Sequence, residues 1–400
     1  MSQLLARIKD LLQHRPVLVS SSFVVLVVLL RFSILGNFDP SYFILPDEAF
    51  VVEEKLVHEL TVFKGGYDGQ FYYRYAVDPF SKDVKYVVKS VRGKGRHGIK
   101  VDAPKYRRGR LTYPLAAWAL AFGQKAPIPY TLILVNILGF ILLVAIVKKV
   151  VLHFGASWYY YYFPLLIGGL YFSLARNLPD LLVCTLLAWS YLCFLQEKRF
   201  WFVIASSLLL LCKESSAIFL VPAYAILFLA GLTKEPLSKQ FREKMMLLLP
   251  VVVLLAWKYT LNTLYPGALQ QGFAASFIKH FDLPFKGIYE SLVSHFFLTK
   301  FAYMTWALLL IAICLKEVIQ RRQFEVRNWM YWGVWINLLL TLCYAIPIYE
   351  DMWSFMRVLA ASHVMCFFFL LERKVDLPKW FIGYSMLIAA YTALLITFFP

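Results

Sequence analysis

This chain predicts an all-α polytopic membrane protein, on three observations. Of its 400 residues 60% are hydrophobic and only 16% charged, with a mean hydropathy of +0.63, far too apolar a balance for a soluble globule. Apolar runs of about 20 residues, the length that crosses a ~30 Å hydrocarbon layer, recur from Pro16 onward. The basic clusters between those runs fall on one side of the layer if the N-terminus is cytoplasmic, as the positive-inside rule requires. That rule absorbs much of the formal charge of +17, so nucleic acid is not expected as a partner.

The first run, 16 to 36, follows Arg7, Lys9 and Arg15. It is too long for a signal peptide and no small-residue cleavage site follows, so it is expected to be retained as a span. Residues 37 to 110 then form a long polar loop on the outer side. The run Leu111 to Phe122, about 12 residues, is too short to cross and is expected to be re-entrant or interfacial. Further spans are expected at 129 to 148, 157 to 174, 178 to 195, 199 to 212, 215 to 232, 246 to 264, 301 to 317, 328 to 347, 355 to 372 and 378 to 399. That makes about eleven, counting 16 to 36. If 111 to 122 does not cross, Lys148 and Lys149, Lys198 and Arg199, Lys234 to Lys244, Lys316 to Arg327, and Arg373 and Lys374 all share the side of the N-terminus. No repeat or linker divides the chain. It reads as one membrane domain, 1–400, in which an extracytoplasmic loop, 37–127, carries interfacial or re-entrant helices and 128–400 forms the helical bundle.

The same topology gathers a second set of residues at the outer surface: Asp47, Glu48, Asp68, Asp78, Asp102, the run Tyr106 to Arg110, Arg176, Asp180, Lys213, Glu214, Asp282, Glu350, Asp351 and Arg357. Ionisable groups at span ends are costly unless they line a polar cavity, so an outward-facing chamber is expected. Asp68 lies between Gly65-Gly66 and Gly69, which would let backbone approach a ligand, and precedes Phe71, Tyr72, Tyr73 and Tyr75. At helical spacing these aromatics would share a face and lie along the interface. Pro46-Asp47-Glu48 reads equally as a helix cap and as a carboxylate that takes a proton or holds a metal. The stretch from Lys82 to Arg110 holds eleven Lys and Arg against two acids, and its guanidinium forks, including Arg107, Arg108 and Arg110, suit phosphate oxygens or lipid headgroups. Arg176 to Asp180 and Lys213-Glu214 read as a capped turn with an ion pair or as site residues. Arg357, about one turn into its span, needs an anion, for which Glu350 or a lipid phosphate would serve.

Other chemistries lack their signatures. All six cysteines fall in or beside apolar runs, which argues against disulfides and thiolate clusters. The histidines show no ligand spacing, so no metal is assigned, although a divalent ion is compatible with the acids. No phosphate-cradling Gly-Lys-Ser/Thr loop is present.

Gly66-Tyr-Asp68-Gly-Gln-Phe-Tyr-Tyr73, with Asp102-Ala-Pro and Tyr106-Arg-Arg-Gly-Arg-Leu-Thr-Tyr-Pro114 behind it, resembles the GT-C superfamily of integral membrane glycosyltransferases. The likeness is to an uncharacterised bacterial group, distantly similar to the GPI mannosyltransferase branch; Pro46-Asp47-Glu48-Ala49 resembles the Asp-Glu of protein O-mannosyltransferases and aminoarabinose transferases. The resemblance implies a GT-C-like bundle that moves a sugar from a polyprenyl-phosphate donor, with inversion, to a glycan, lipid or protein acceptor. It places the site on the outer face of what would be a bacterial cytoplasmic membrane. Asp68, Asp47 or Glu48 would then be the base. Arg107, Arg108, Arg110, Arg357 and Lys213 would hold the donor phosphate, and Tyr67, Gln70, Tyr73, Asp180, Glu214 and Glu350 would meet substrate. No cofactor is required and the departing phosphate is met by cations. A flippase of lipid-linked sugars, or a non-catalytic subunit of polysaccharide export, is the competing expectation; transporters favour repeated halves and midplane polar groups.

Overall fold

The computed structural model of the chain describes residues 2–52, 60–79, 88–89, 96–99, 101, 104–220, 224, 237–264, 281–294, 298–321, 328–350 and 352–399. The chain begins with α1 (Ser2–His14), α2 (Pro16–Gly36) and α3 (Ser41–Ile44), then α4 (Gly69–Val77), α5 (Pro104–Arg108) and α6 (Thr112–Leu120). The bundle continues with α7 (Ile128–Phe154), a 3-10 segment Trp158–Leu166, α8 (Gly168–Ala175), α9 (Asp180–Leu195) and α10 (Arg199–Cys212). It ends with α11 (Leu237–Leu264), α12 (Lys286–Ser294), α13 (Leu298–Arg321), α14 (Trp329–Cys343), α15 (Ile346–Glu350), α16 (Met352–Glu372) and α17 (Lys379–Phe398). Within the loop, the short strands β1 (Val51–Val52), β2 (Val88–Lys89) and β3 (Arg96–Ile99) pair antiparallel in the order β1-β3-β2.

Five helices, α2, α7, α13, α16 and α17, are long and apolar enough to cross a membrane, and α9, α10, α14 and the 248–264 part of α11 are shorter apolar helices. The protein is therefore a multi-pass integral membrane protein. Local chemistry sets the helix ends. Pro16 opens α2 where a missing N–H costs nothing, and Asn37, left-handed at φ 44°, closes it with its N–H on the Phe32 carbonyl. Gly155 at φ 65° closes α7 in the same way. The expected span 157 to 174 does not form one α-helix. Its first nine residues coil as 3-10 around Pro164, and eight more form α8. At roughly 2.0 and 1.5 Å per residue these pieces together reach about 30 Å, a full crossing. The expected span 215 to 232 lies mostly outside the described residues.

Helix α16 is the axis of the bundle: protein buries 83% of its apolar window, against 28% for α2 and 44% for α17 at the rim. It packs on α8, α9, α13 and α14. The approach of α8 is close because Gly169 faces the Met356 carbonyl, where a Cβ would overlap the backbone. Polar contacts at Asn337 tie α14 to α16, with Ser362 Oγ donating to Asn337 Oδ1 at 2.6 Å and Asn337 Nδ2 donating to Met365 Sδ at 3.5 Å. In an apolar surround such bonds fix register.

The two ends of the bundle are chemically distinct. Near the C-terminal end of α7, Tyr162 donates to the Leu12 carbonyl, Tyr160 to Asp376, and Asn328 to Glu372. The N-terminal helix, Lys148 and the 372–376 turn thus share one end, as the charge pattern requires. At the other end of α7, which at 27 residues is roughly 40 Å long, Asn136 donates to Tyr113 and Thr131 to the Ala117 carbonyl. This seats α6 against α7. With nine residues, α6 reaches only about 14 Å, too short to cross. The loop helix α4 sits beside it. Contrary to the expectation of an interfacial helix, every residue of α4 from Gly69 to Val77 is buried by protein, because α6, α7 and α5 cover its faces.

Candidate functional site

The site is built where α4 meets the turns at the ends of α8, α9, α10 and α16. Asp68 holds the N-cap position of α4, where an Asp ordinarily accepts a backbone N–H, yet its side chain makes no cap bond. Its carboxylate instead accepts from Arg107 at 2.9 Å and from Arg357 at 3.2 Å. The same Arg357 guanidinium reaches Asp180 at 3.6 Å, and Asp180 holds Lys213 at 2.6 Å. Charges from the loop, α16, α9 and the end of α10 thereby form one chain, Arg107–Asp68–Arg357–Asp180–Lys213. Asp180 suits its place as the first residue of α9, where the helix dipole favours a carboxylate.

Close backbone packing sets this geometry. A Cβ on Gly69 would overlap the Arg176 carbonyl and crowd those of Ile44 and Phe43, so only glycine lets the start of α4 dock on the α8–α9 turn. A Cβ on Gly66 would lie 2.5 Å from the Leu45 carbonyl and from Asp47 Cβ. The glycines around Asp68 therefore serve protein-to-protein approach rather than the ligand approach expected from sequence. Asn177, in left-handed backbone at φ 49°, makes the turn that aims Arg176 and Asp180.

Burial pushes the Asp68 carboxyl upward, but Arg107, Arg357 and Arg110 outweigh it and hold the group at about 2, below the usual 3.8. Arg110 donates to Tyr72 Oη at 2.9 Å and also to Tyr106, and lies 3.8 Å from Glu214. Arg176 stacks over Trp353 at 4.6 Å and Tyr67 at 5.8 Å, and Arg357 faces the same Tyr67 ring at 5.5 Å. Among the described residues, four basic groups (Arg107, Arg110, Arg357, Lys213) meet three carboxylates (Asp68, Asp180, Glu214), and Arg176 stands over the Tyr67 and Trp353 rings beside them. Buried ion pairs add little net stability, because desolvation offsets their attraction. A cation-rich cluster of this size at the end of an apolar bundle marks a binding or reaction site.

Beside the cluster lies a cavity of about 40 Å³, lined by the charged groups Asp180, Lys213 and Arg357, by Ser215, Ser216 and Tyr344, and by the apolar Val183, Ile218, Phe219, Leu340, Val358 and Ala361. Its lining joins charged groups to apolar ones, a composition suited to an amphiphile with an anionic head. The space as it stands holds about three waters.

The other residues expected at the site from sequence take varied places. Asp47 is near but occupied, its Oδ1 accepting from Ala49 N and its Oδ2 from Gly66 N, each at 2.9 Å. Glu48 is exposed on the loop. Gln70 is buried and accepts from Asp47 N at 3.1 Å, and Tyr73 is buried in the core, so both brace the loop instead of facing the cluster. Arg108 departs from the expected phosphate group. It stacks over Tyr75 at 5.1 Å on another side of α4, and its carbonyl accepts from Trp257. Glu214 is buried beside Arg110, and Lys213 pairs with Asp180 rather than with its neighbour Glu214. The anion for Arg357, expected to be Glu350 or lipid, is Asp68 with Asp180. The side chain of Glu350, and Asp102 and Asp351 altogether, lie outside the described residues. Sequence reasoning missed Tyr72, Tyr106 and Trp353 as partners of the arginines. The signal was the aromatic interleaving of both loop motifs, which places a ring within reach of each guanidinium.

The class defined by fold and site is a multi-pass helical membrane protein with a cation-rich, partly buried charge cluster at one end of its bundle. No protein-family match and no curated relative is found for the chain. Among solved structures it is similar to the oligosaccharyltransferase of Archaeoglobus fulgidus, a crystal structure with a tethered acceptor peptide, at 13% identity and a TM-score of 0.42. That similarity covers 97% of this chain and 55% of the other, so the chain spans about half the length of that protein.

Proposed function

We propose that the chain is a GT-C-type glycosyltransferase that moves a sugar from a polyprenyl-phosphate carrier to a hydroxyl of a glycan, lipid or protein acceptor, on the extracytoplasmic face. The observation that carries this reading is the amphipathic cavity beside the Asp68–Arg357–Asp180–Lys213 chain. Its cationic lining suits a phosphate and its apolar lining suits the start of an isoprenoid tail, while a carboxylate stands at the same guanidinium.

Those positions define the chemistry. The acceptor oxygen attacks the anomeric carbon as the bond from that carbon to the phosphate oxygen breaks, inverting the centre. Asp68 accepts the hydroxyl proton, and the polyprenyl phosphate leaves carrying the electron pair. Arg357 and Lys213 neutralise the charge that grows on the leaving oxygen, the contribution that matters most in such a displacement. Asp47 and Glu48 are the alternative bases. Asp47 has both carboxylate oxygens on backbone N–H groups, so Asp68 is assigned the role and Asp47 the support of its loop. The reaction is written without a metal, the cations being the protein's own.

The test is purified protein in lipid nanodiscs with radiolabelled polyprenyl-phosphate sugars and a panel of acceptors. Wild type should transfer label with at least one donor, and Asp68→Asn should lose it by a factor of about 100 or more, the scale of a general base. Absence of transfer with every donor, alongside movement of lipid-linked sugar between leaflets in proteoliposomes, would reassign the protein as a transporter.

A further inference from the structure

Three features of the cluster belong together. One guanidinium, Arg357, is divided between two carboxylates, Asp68 at 3.2 Å and Asp180 at 3.6 Å. The cavity it borders holds about three waters, and the two cations on its lining, Arg357 and Lys213, are already engaged by carboxylates. Asp68, moreover, forgoes the helix cap its position offers in order to reach the arginines.

From this we infer that Arg357 is an exchange site, at which the phosphate of an incoming lipid phosphate ester takes over the guanidinium from Asp68 and Asp180. The carboxylates hold the cation in place until the ligand arrives. Exchange itself stands without the glycosyltransfer reading; only its catalytic consequence rests on that reading. Arginine grips phosphate through two parallel N–H bonds, whereas here Arg357 makes one bond to Asp68 and a longer contact to Asp180. A phosphate ester with two free oxygens therefore offers it better geometry than it has. Once Arg357 turns to phosphate, one oxygen of Asp68 loses its donor while Arg107 keeps the other in position. Losing a cationic neighbour makes a carboxylate a better proton acceptor. Donor binding would thus switch on the base, and a hydroxyl reaching the site without a donor would find Asp68 fully engaged.

The experiment is binding, not turnover: dodecyl phosphate, and separately inorganic phosphate, titrated calorimetrically into the detergent-solubilised chain. Asp68→Asn and Asp180→Asn each remove one competitor for Arg357, and each should bind dodecyl phosphate about tenfold or more tightly than wild type. Asp47→Asn, which touches only loop N–H groups, should bind as wild type does. Two variants guard against failure of either to fold. If inorganic phosphate shows the same gain, the site reads the headgroup alone; if only dodecyl phosphate does, it reads the lipid form; exchange holds in both cases. Unchanged or weaker dodecyl phosphate affinity in both Asp68→Asn and Asp180→Asn would overturn the inference. Tightening in a protein that transfers no sugar would leave exchange standing without the transferase, and transfer with unchanged phosphate affinities would do the reverse.

Discussion

The depressed ionisation of Asp68 makes a quantitative claim about stability that an acid titration can check. The folded chain holds this carboxyl at about 2 against 3.8 for a free aspartate, and its side chain is 22% exposed, so the pairing is largely shielded from solvent. At about 1.36 kcal/mol per unit the difference is worth about 2.5 kcal/mol of folding stability. Because the folded value is the lower one, the contribution is fully present above 3.8 and is lost as pH falls through about 2. Asn at position 68 lacks this contribution at every pH. Denaturant unfolding of wild type and Asp68→Asn in matched detergent should therefore differ by about 2.5 kcal/mol at pH 7, and by about a third of that at about pH 2.5. Carboxylates that share no arginine with Asp68 contribute equally in both proteins and cancel in the difference. A gap of the same size at both pH values, or none at neutral pH, would refute the argument that Arg107 and Arg357 hold an ionised Asp68.

Gly69→Ala should push α4 off the α8–α9 turn and lengthen the Asp68–Arg357 pair, costing about 1–3 kcal/mol by the usual penalty for overpacking. Thermal unfolding reports the cost, and a variant as stable as wild type would contradict the packing described. Asp47→Asn keeps one acceptor oxygen but not both, so a loss of about 1 kcal/mol is expected with the pH profile of transfer unchanged; a displaced profile would restore Asp47 as the base. Arg31→Met removes the guanidinium that donates to the carbonyls of Ile396, Phe399 and Tyr42, leaving buried acceptors unpaired at about 1–3 kcal/mol. Faster amide exchange at the end of α17 would show it. Ser362→Ala strips a donor from Asn337 Oδ1 and should lower stability by about 0.6 kcal/mol, the mean for such bonds between membrane helices, measured by unfolding in detergent.

Hydropathy and charge made the architecture readable, because lipid forces backbone to pair within each crossing and so writes spans as apolar runs. The same logic gathered Asp68, Arg107, Arg110, Asp180, Lys213, Glu214 and Arg357 at one end before any contact was known, since each sits where an ionisable group is expensive. Which partner each would take was not readable. Arg357 chooses Asp68, 289 positions away, and no local pattern encodes that. Arg108 and Arg107 are adjacent, yet on a short helix they point about 100° apart, so one meets Asp68 and the other Tyr75. The aromatics of α4 misled for a related reason: Tyr72, Tyr73 and Tyr75 resemble an interfacial girdle, but α6 and α7 close over them, and Tyr and Phe serve a buried helix equally well. The 3-10 segment Trp158–Leu166 was hidden because a hydropathy window does not distinguish a tight coil from an ordinary one.

Arg31 carries a consequence for biosynthesis. It enters the bilayer with the first hydrophobic helix, and the Ile396 carbonyl that receives it is synthesised 365 residues later. Until α17 is made, the nascent chain can offer Arg31 its near partners, the Tyr42 carbonyl and the Phe43 ring, but not the Ile396 and Phe399 carbonyls. Closure of the bundle's rim by α17 is thus the event that completes the hydrogen bonds of Arg31, so the first span gains its last partners only once the final one packs.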